Sequence, residues 1–201
     1  MLAEAYRFVA RSYDQLKCFE QSSEYYQRVY DTLQPLNNPH CLYRALFDLA
    51  RNFLFAKKYS QAIEKFREIF QHTTSDYERA LVSQELSLCY LNSNEYEQAK
   101  KYAYEALDYA MVSNDELLSM EVNILLGKIY FQLKDFQRAE EYINYARNLK
   151  DQLGDLNDID DFEDMAQLSS TLPWTEKRIS PWRILTPYHQ LVDICFEKIQ
   201  P

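Results

Sequence analysis

The sequence predicts an all-α fold, namely an α–α superhelix (solenoid) of helical hairpins followed by an acidic segment and a C-terminal helix. Three observations support this prediction. One spacing of small and aromatic residues recurs four times, short polar stretches separate the paired helices, and no segment shows sustained strict alternation of apolar and polar residues. Only two glycines and six prolines occur among 201 residues, as expected for a chain of long helices.

The recurring spacing begins with a small residue. Aromatic residues follow three and nine positions later, and a second small residue follows after twelve positions. Small side chains are expected where two antiparallel helices cross closely, because larger ones would hold the backbones apart. One hairpin cannot bury its apolar face alone, so neighbouring hairpins must stack. The four sets are Ala10, Tyr13, Phe19 and Ser22; Ala50, Phe53, Tyr59 and Ala62; Ser87, Tyr90, Tyr96 and Ala99; and Gly127, Tyr130, Phe136 and Ala139.

Each set predicts one hairpin within residues 1–152. In the second hairpin, apolar residues at helical spacing favour helices at about residues 42–55 and 60–71. The first hairpin is already in helical register at its start, with no capping unit ahead of it, so we expect a fragment of a longer array. The four predicted pairs cover about residues 3–36, 43–76, 80–113 and 120–152.

The pattern changes after residue 152. Residues 153–185 are predicted to be a linker rich in acids, Pro and Trp, in which anchors such as Ile159 and Phe162 alternate with carboxylates. This composition is typical of a recognition segment that orders on binding. A further hypothesis is that the acidic segment folds back as an internal lid on an arginine-rich groove, whose residues are given below.

The last predicted element is a helix at residues 186–201. Thr186 followed by Pro187 is a helix-start signal, and the helix is expected to cap the last repeat. Trp174 and Trp182 precede it. Packing under the cap is favoured for these two tryptophans, since exposed tryptophans are costly, and anchoring of a partner is the alternative.

Composition excludes several functions. The net charge of −9 argues against general nucleic-acid binding, which needs a basic face, and the absence of a long apolar run predicts no membrane span. The four cysteines and three histidines lack metal-ligand spacing, and two glycines cannot build a phosphate loop. We therefore predict no catalytic residue, metal, cofactor or small-molecule substrate, and the chain is not expected to be an enzyme.

The order of residue types resembles the tetratricopeptide repeat family. The fourth unit shows it as Asn123, Leu126, Gly127, Tyr130, Ala139, Ile143 and Ala146, and the third as Ser83, Leu86, Ser87, Tyr90, Ala99, Ala103 and Ala106. The resemblance covers about residues 3–152 and implies a binding scaffold. Successive units begin 40, 37 and 40 residues apart, counted from Ala10 to Ala50, Ser87 and Gly127, against a usual period of about 34. The extra residues would lengthen helices or connecting loops.

In this family the first helix of each pair lines a concave face, and the resemblance selects inward-facing residues here. The hypothesis is that this surface, the predicted groove, binds an acidic segment with aromatic or aliphatic anchors, because arginine and aromatic residues are typical interface anchors. The alternative is that its arginines pair with Glu4, Asp14 and Asp48 and only solvate the surface. The predicted groove residues are Arg7, Arg11, Arg44, Phe47, Arg51, Phe55 and Lys128.

Part of the chain, about residues 43–150, is similar more particularly to the tetratricopeptide-repeat subunits of the ciliary outer dynein arm docking complex. The matching runs are residues 44–51, 78–91, 96–102, 105–107 and 123–127. This resemblance implies an axonemal adaptor that helps attach outer dynein arms to doublet microtubules, alongside coiled-coil docking-complex subunits. It also implies a cytoplasmic protein of the cilium or flagellum.

Two other functions remain open. One is a soluble signalling or cargo adaptor that binds acidic peptide segments in its concave groove. The other is the regulatory domain of a larger enzyme. Salt-resistant retention on axonemes would distinguish the axonemal adaptor from the soluble adaptor. The sequence ahead of Met1 would show whether the chain is the regulatory domain of a larger enzyme.

Overall fold

The computed structural model describes residues 2–36 and 38–153, and within them every regular element is helical. The predicted all-α fold class is confirmed. The predicted linker and C-terminal helix lie outside the described residues, together with Ile159, Phe162, Trp174 and Trp182. The described α-helices are α1 (Leu2–Gln15), α2 (Phe19–Leu33), α3 (Pro39–Phe55), α4 (Tyr59–His72), α5 (Asp76–Asn92), α6 (Tyr96–Val112), α7 (Glu116–Gln132) and α8 (Phe136–Leu153), with a 3₁₀ turn at Gln34–Leu36.

The chain divides into two compact units, Met1–Ala106 and Leu107–Pro201. In the first unit α1 packs on α2, α2 on α3, α3 on α4, and α4 on α5. In the second unit α7 packs on α8, and Met120 and Ala146 form the centre of an apolar cluster between them.

The long repeat period is taken up mainly by helix length. Helices α3, α5 and α7 each have 17 residues, and the connections α4–α5 and α6–α7 have only three. Helix α3 begins at Pro39, whereas the sequence predicted a start at about residue 42. The earlier start is explained by the Asn38 side chain, which accepts hydrogen bonds from the backbone N–H groups of His40 and Cys41 at 3.1 and 3.2 Å. With Pro39 in its first turn, this cap adds a turn to the helix.

The four predicted hairpin turns share one backbone conformation. The residue seven positions after the first small residue has a positive φ in every case, at Lys17 (57°), Lys57 (60°), Asn94 (64°) and Lys134 (63°). The next backbone N–H donates to the carbonyl oxygen of the repeat aromatic, as Lys58 does to Phe53 at 2.8 Å. This is the Schellman ending of a helix, and it explains why each turn needs only three residues.

The small residues are buried where the helices cross. Gly127 shows how close the approach is, since a Cβ atom built there would lie 2.5 Å from Cδ1 and 2.8 Å from Cγ1 of Ile143. An ordinary side chain at this position would therefore push α8 or its isoleucine away.

The repeat aromatics stack within their own hairpins. The rings of Tyr90 and Tyr102 are 5.4 Å apart at 5°, and those of Tyr130 and Tyr142 are 5.4 Å apart at 6°. In the first hairpin Tyr13 stacks on Tyr25 at 5.6 Å. Each partner lies three residues after the second small residue, so the same spacing aligns both rings.

Candidate interaction surface

A charge cluster centred on the buried Arg7 joins α1 and α3 in the first unit. Arg7 is only 4% exposed, and its guanidinium reaches Oε1 of Glu4 at 2.7 Å and Oδ2 of Asp48 at 3.1 Å. Glu4 lies one turn before Arg7 on α1, whereas Asp48 belongs to α3. Arg7 therefore ties the first helices of two successive hairpins together.

A second ion pair joins α3 to α5. Nε of Arg51 lies 3.3 Å from Oε1 of Glu85, and the guanidinium carbon of Arg51 sits 5.4 Å from the centre of the Phe55 ring. Helical spacing puts Arg44, Asp48, Arg51 and Phe55 on one face of α3. The face therefore alternates cation, anion, cation and aromatic ring.

Electrostatics at this face are dominated by burial. Burial raises the pKa of the Asp48 carboxyl, and four guanidinium groups, those of Arg7, Arg11, Arg51 and Arg44, oppose that rise. Burial also raises the pKa of the Glu85 carboxyl, against the pull of Arg51. Both carboxyls are thus held in a region where their charged form depends on neighbouring arginines.

Two of the four arginines keep their guanidinium groups available. Arg44 is exposed and Arg11 half-buried, and neither forms an ion pair within 4.0 Å in the part of the chain that the structure describes. Arg7 and Arg51, by contrast, are held by carboxylates. This difference matters because an arginine that already binds a buried carboxylate has fewer N–H donors left for an incoming ligand than an arginine without an ion pair.

The other predicted groove residues lie in different surroundings. Phe47 is buried, edge to face on Phe66 of α4 at 5.5 Å, so it packs the hairpin. Phe55 is half-buried and its ring is 6.4 Å from that of Phe19. Lys128 is buried on α7 in the second unit.

Sequence reasoning missed two organising carboxylates. The predicted groove residues did not include Glu85, which lies on α5 and pairs with Arg51. Asp14 was expected only as a partner for arginines. Its Oδ1 instead accepts hydrogen bonds from Ser22 at 2.5 Å and Asn52 at 2.8 Å, and its Oδ2 accepts one from Tyr26 at 2.7 Å. The residue that could have indicated this network in the sequence is Asn52, a polar residue on the apolar face of α3.

Two further observations bound the chemistry. No group of three or more His, Cys, Asp or Glu side chains within residues 2–36 and 38–153 could hold a metal ion. Among the described helices, none combines the length and the apolar character that crossing a membrane requires.

Comparison with known families supports the repeat assignment directly. A tetratricopeptide repeat model matches residues 75–110 and 121–146. These ranges contain α5 with most of α6, and most of α7 and α8.

Two curated relatives are similar in sequence. The mouse protein named outer dynein arm-docking complex subunit 4 is 27% identical over 101 residues, which are 50% of this chain and 16% of that protein. The human protein of the same name is 21% identical over 139 residues, covering 69% of this chain and 21% of the relative. The chain thus matches about a fifth or less of the length of these relatives.

Solved structures share the fold. Aspartyl phosphate phosphatase F from Bacillus subtilis superposes with a TM-score of 0.72 at 22% identity, over 83% of this chain and 44% of that one. RapI in its apo form gives 0.70 at 21%, over 83% and 62% of the two chains. Tetratricopeptide-like repeats of a putative kinesin light chain from Podosopora anserina give 0.64 at 16%, over 82% and 81%. At these identities the likeness concerns the fold alone.

The helical hairpins, their shared turn geometry and the matched repeat model all agree. Folds of this kind serve in general as non-enzymatic scaffolds for protein interaction. Residues 75–110 and 121–146 of the chain therefore match tetratricopeptide repeats.

Proposed function

We propose that this chain is an adaptor of the outer dynein arm docking complex, which helps attach dynein arms to doublet microtubules. The observation that carries the proposal is the sequence similarity to subunit 4 of that complex from mouse and human, which extends over as much as 69% of the chain. A tetratricopeptide scaffold suits such a role, because stacked hairpins present a long surface for protein partners. Its partners would then include coiled-coil docking subunits, the dynein arm and the doublet microtubule.

Fractionation of ciliated cells tests this proposal. A tagged form of the chain is followed by mass spectrometry through detergent-washed axonemes, before and after high-salt extraction. Retention together with the docking complex, whether or not the dynein arms are stripped, is the expected result. Recovery in the cytosolic fraction alone would rule out the axonemal role.

A second function is favoured by one specific observation. The charges of Arg11 and Arg44 lower the pKa of Asp48, and no described carboxylate holds either guanidinium within 4.0 Å. In a protein with a net charge of −9, such a local cationic site suits an acidic peptide. The alternative proposal is thus a soluble signalling or cargo adaptor that binds acidic segments at this surface.

The chain supplies its own probe for the acidic-peptide proposal. Residues 155–165 alternate carboxylates with apolar anchors, so a fluorescent peptide of that sequence can be titrated against the chain ending at residue 153. Binding that weakens about tenfold when Arg11 and Arg44 are both changed to Glu would support the proposal. The same double change should remove most of the salt dependence of binding.

A matched control separates the site from general charge effects. Arg28→Glu alters an exposed arginine on α2, which pairs with Glu24 at 2.6 Å. Equal loss of peptide binding in this variant and in the Arg11/Arg44 variant would argue against a local site. No measurable binding by the unaltered chain would also reject the acidic-peptide proposal for this probe, whatever the result of fractionation.

A further inference from the structure

The two paired arginines of the first unit are held in different ways. Arg7 donates a hydrogen bond from Nη1 to Oε1 of Glu4 at 2.7 Å. Nε of Arg51 lies 3.3 Å from Oε1 of Glu85, but the described residues give neither Nε nor Nη2 of Arg51 a hydrogen-bond partner. Within the same residues, Oε2 of Glu85 has no partner either. Glu85 therefore holds Arg51 by charge and not by directed hydrogen bonds.

This arrangement makes Arg51 an arginine that can change its partner. The side chains of Arg51 and Glu85 are only 11% and 4% exposed, so their unpaired polar atoms have lost most of their contact with water. Buried polar atoms without partners are costly, and a desolvated ion pair is strong only when its hydrogen bonds are made. Another carboxylate that offers two parallel hydrogen bonds to the guanidinium would bind Arg51 better than Glu85 does.

The position of Arg51 relative to Arg44 sets a distance. Arg44 is exposed on α3 and lies seven positions before Arg51, which is two helical turns or about 10.5 Å along one face. Asp48 lies between them and binds Arg7 at 3.1 Å. The Phe55 ring lies 5.4 Å from the guanidinium carbon of Arg51 and favours a position of this group on the same face.

An extended acidic segment can match this distance. Segments rich in acids and poor in apolar residues do not fold alone, and polyproline II is a major conformation of such chains. This conformation has three residues per turn and rises about 3.1 Å per residue, so carboxylates three residues apart lie on one side at about 9 Å. Carboxylates two or four residues apart point to different sides and could not bind both arginines equally well.

We propose that Arg44 and Arg51 bind an extended acidic segment of a partner protein through two carboxylates three residues apart, and that Glu85 competes with this segment for Arg51. The inference rests on the acidic-peptide function proposed above, for which it names the spacing of the ligand. The first carboxylate binds at Arg11 and Arg44, and the second takes Arg51 from Glu85. A segment with a single carboxylate leaves the Arg51–Glu85 pair in place and binds more weakly.

The displaced carboxyl does not have to remain charged. Burial already raises the pKa of the Glu85 carboxyl, and the charge of Arg51 opposes that rise. When Arg51 turns to the ligand, the opposing charge is lost and the carboxyl can take up a proton from water. The exchange therefore leaves no unpaired charge in the interior.

A series of peptides tests the spacing on the unaltered full chain. Three fluorescently labelled peptides have the same length and the same composition, two aspartates among serines and prolines, but place the aspartates two, three or four residues apart. Fluorescence anisotropy measures the affinity of each. The peptide with a spacing of three should bind at least about fivefold more tightly than the other two, because it alone presents both carboxylates on one side.

Substitutions in the full chain test the competition. Glu85→Gln should tighten binding of the three-residue-spaced peptide about tenfold, because a neutral amide competes less well for a guanidinium. Glu64→Gln removes one exposed carboxylate from α4 and is the control for the change in net charge. The double variant Arg51→Gln/Glu85→Gln keeps the net charge and leaves no unpaired buried charge, and it should lose the preference for a spacing of three. Thermal unfolding checks that each variant is folded.

The outcomes separate this inference from the function on which it rests. Equal affinity for the three peptides would overturn the inference and leave acidic-peptide binding in place. Equal tightening by Glu85→Gln and Glu64→Gln, or a preference for a spacing of three that persists in the double variant, would also overturn it. If no peptide bound either the unaltered chain or Glu85→Gln, both the inference and the acidic-peptide function would be rejected. If a variant failed to fold, the peptide series on the unaltered chain would decide.

Discussion

The Ser87 hydroxyl donates a hydrogen bond of 2.7 Å to the carbonyl oxygen of Ala99, the small residue that faces it across the α5–α6 crossing. In the first hairpin the serine lies on the second helix, where the Ser22 hydroxyl shares its one proton between the carbonyl oxygen of Ala10 at 3.0 Å and Oδ1 of Asp14 at 2.5 Å. Serine thus stands in place of alanine on either side of the crossing. The hydroxyl adds a bond between helices to a contact that is otherwise apolar.

Ser87→Ala should lower the free energy of unfolding by about 1 kcal/mol, since it deletes one buried hydrogen bond without adding volume. Ser87→Leu should cost about 3 kcal/mol or more, because overpacking forces the helices apart. Chemical denaturation measures both. Ser60→Ala, at an exposed site on α4, is the control and should change stability by less than about 0.5 kcal/mol. Equal effects of the alanine and leucine variants would contradict the close crossing.

Gly127 and Ile143 should be energetically coupled. Gly127→Ala gains about 1 kcal/mol of helix propensity but places a Cβ 2.5 Å from Cδ1 of Ile143. Ile143→Val removes that methyl group and should relieve the clash in part, since a γ carbon at 2.8 Å remains. A double-mutant cycle is expected to give a favourable interaction energy of about 0.5 kcal/mol or more. Additive single effects would show that the crossing tolerates a Cβ.

Asp14→Asn should destabilise the first unit by about 1–3 kcal/mol. The carboxylate accepts from Ser22, Asn52 and Tyr26 at once, whereas an amide offers one acceptor oxygen and must turn its NH₂ toward a donor. Burial, followed by the charge and hydrogen bond of Asp14, raises the pKa of the Tyr26 hydroxyl, consistent with its role as a donor.

Asp31→Asn is the matched control for Asp14→Asn. Asp31 is exposed on α2, where it accepts a hydrogen bond from Gln27 at 2.9 Å. Its substitution should change the denaturation midpoint little. A comparable loss of stability in both variants would mean that the buried hydrogen bonds of Asp14 stabilise the fold no more than the exposed one of Asp31.

Glycine at the hairpin turns should stabilise the fold. Lys57 and Lys134 have φ values of 60° and 63°, a region that costs residues with a Cβ about 1–2 kcal/mol. Because glycine also gains entropy in the unfolded chain, the net gain for Lys57→Gly is expected to be up to about 1 kcal/mol. Lys101→Gly within α6 should instead destabilise by about 1 kcal/mol. Thermal melts of the two variants should therefore shift in opposite directions.

Stability should fall as pH rises through the weakly acidic range. The folded-state pKa values of Asp48 and Glu85 lie above their ordinary values of 3.8 and 4.5, so the folded protein binds more protons there than the unfolded chain. The contribution of these two carboxyls to stability is complete below their ordinary pKa values. It is lost as the pH rises through their raised pKa values in the folded protein. Urea midpoints measured from about pH 4 to 7 should decline less steeply in Glu85→Gln than in Glu64→Gln, which changes an exposed carboxyl on α4. Equal slopes would contradict this prediction.

Much of the fold could be predicted because its signals are local. The small residues, the aromatics three positions later and the short polar turns all follow from helical periodicity and hairpin length. The start of α3 was harder to predict from the sequence, since the Asn38 cap adds a turn before the first strongly apolar residue. The alternative between longer helices and longer loops was open in the sequence, and the structure favours longer helices.

The candidate site was harder to predict. The sequence placed arginines on the first helices, but it could not say that Arg7 would be held by Asp48 or Arg51 by Glu85, since those pairs span 41 and 34 positions. The family position predicts Phe47 as a groove residue, and its packing against Phe66 was not visible from spacing alone.

The sequence by itself determined the helical hairpins, their repeat spacing and the small residues at each crossing, because these depend on residues within one or two turns of each other. Only the tertiary structure decided which charges are buried and paired, which arginines stay available and that Phe8 and Leu16 face solvent. Those properties depend on contacts between helices far apart in the chain. Burial changes the energy of a charge more than local sequence does, so the chemistry of the surface follows from packing.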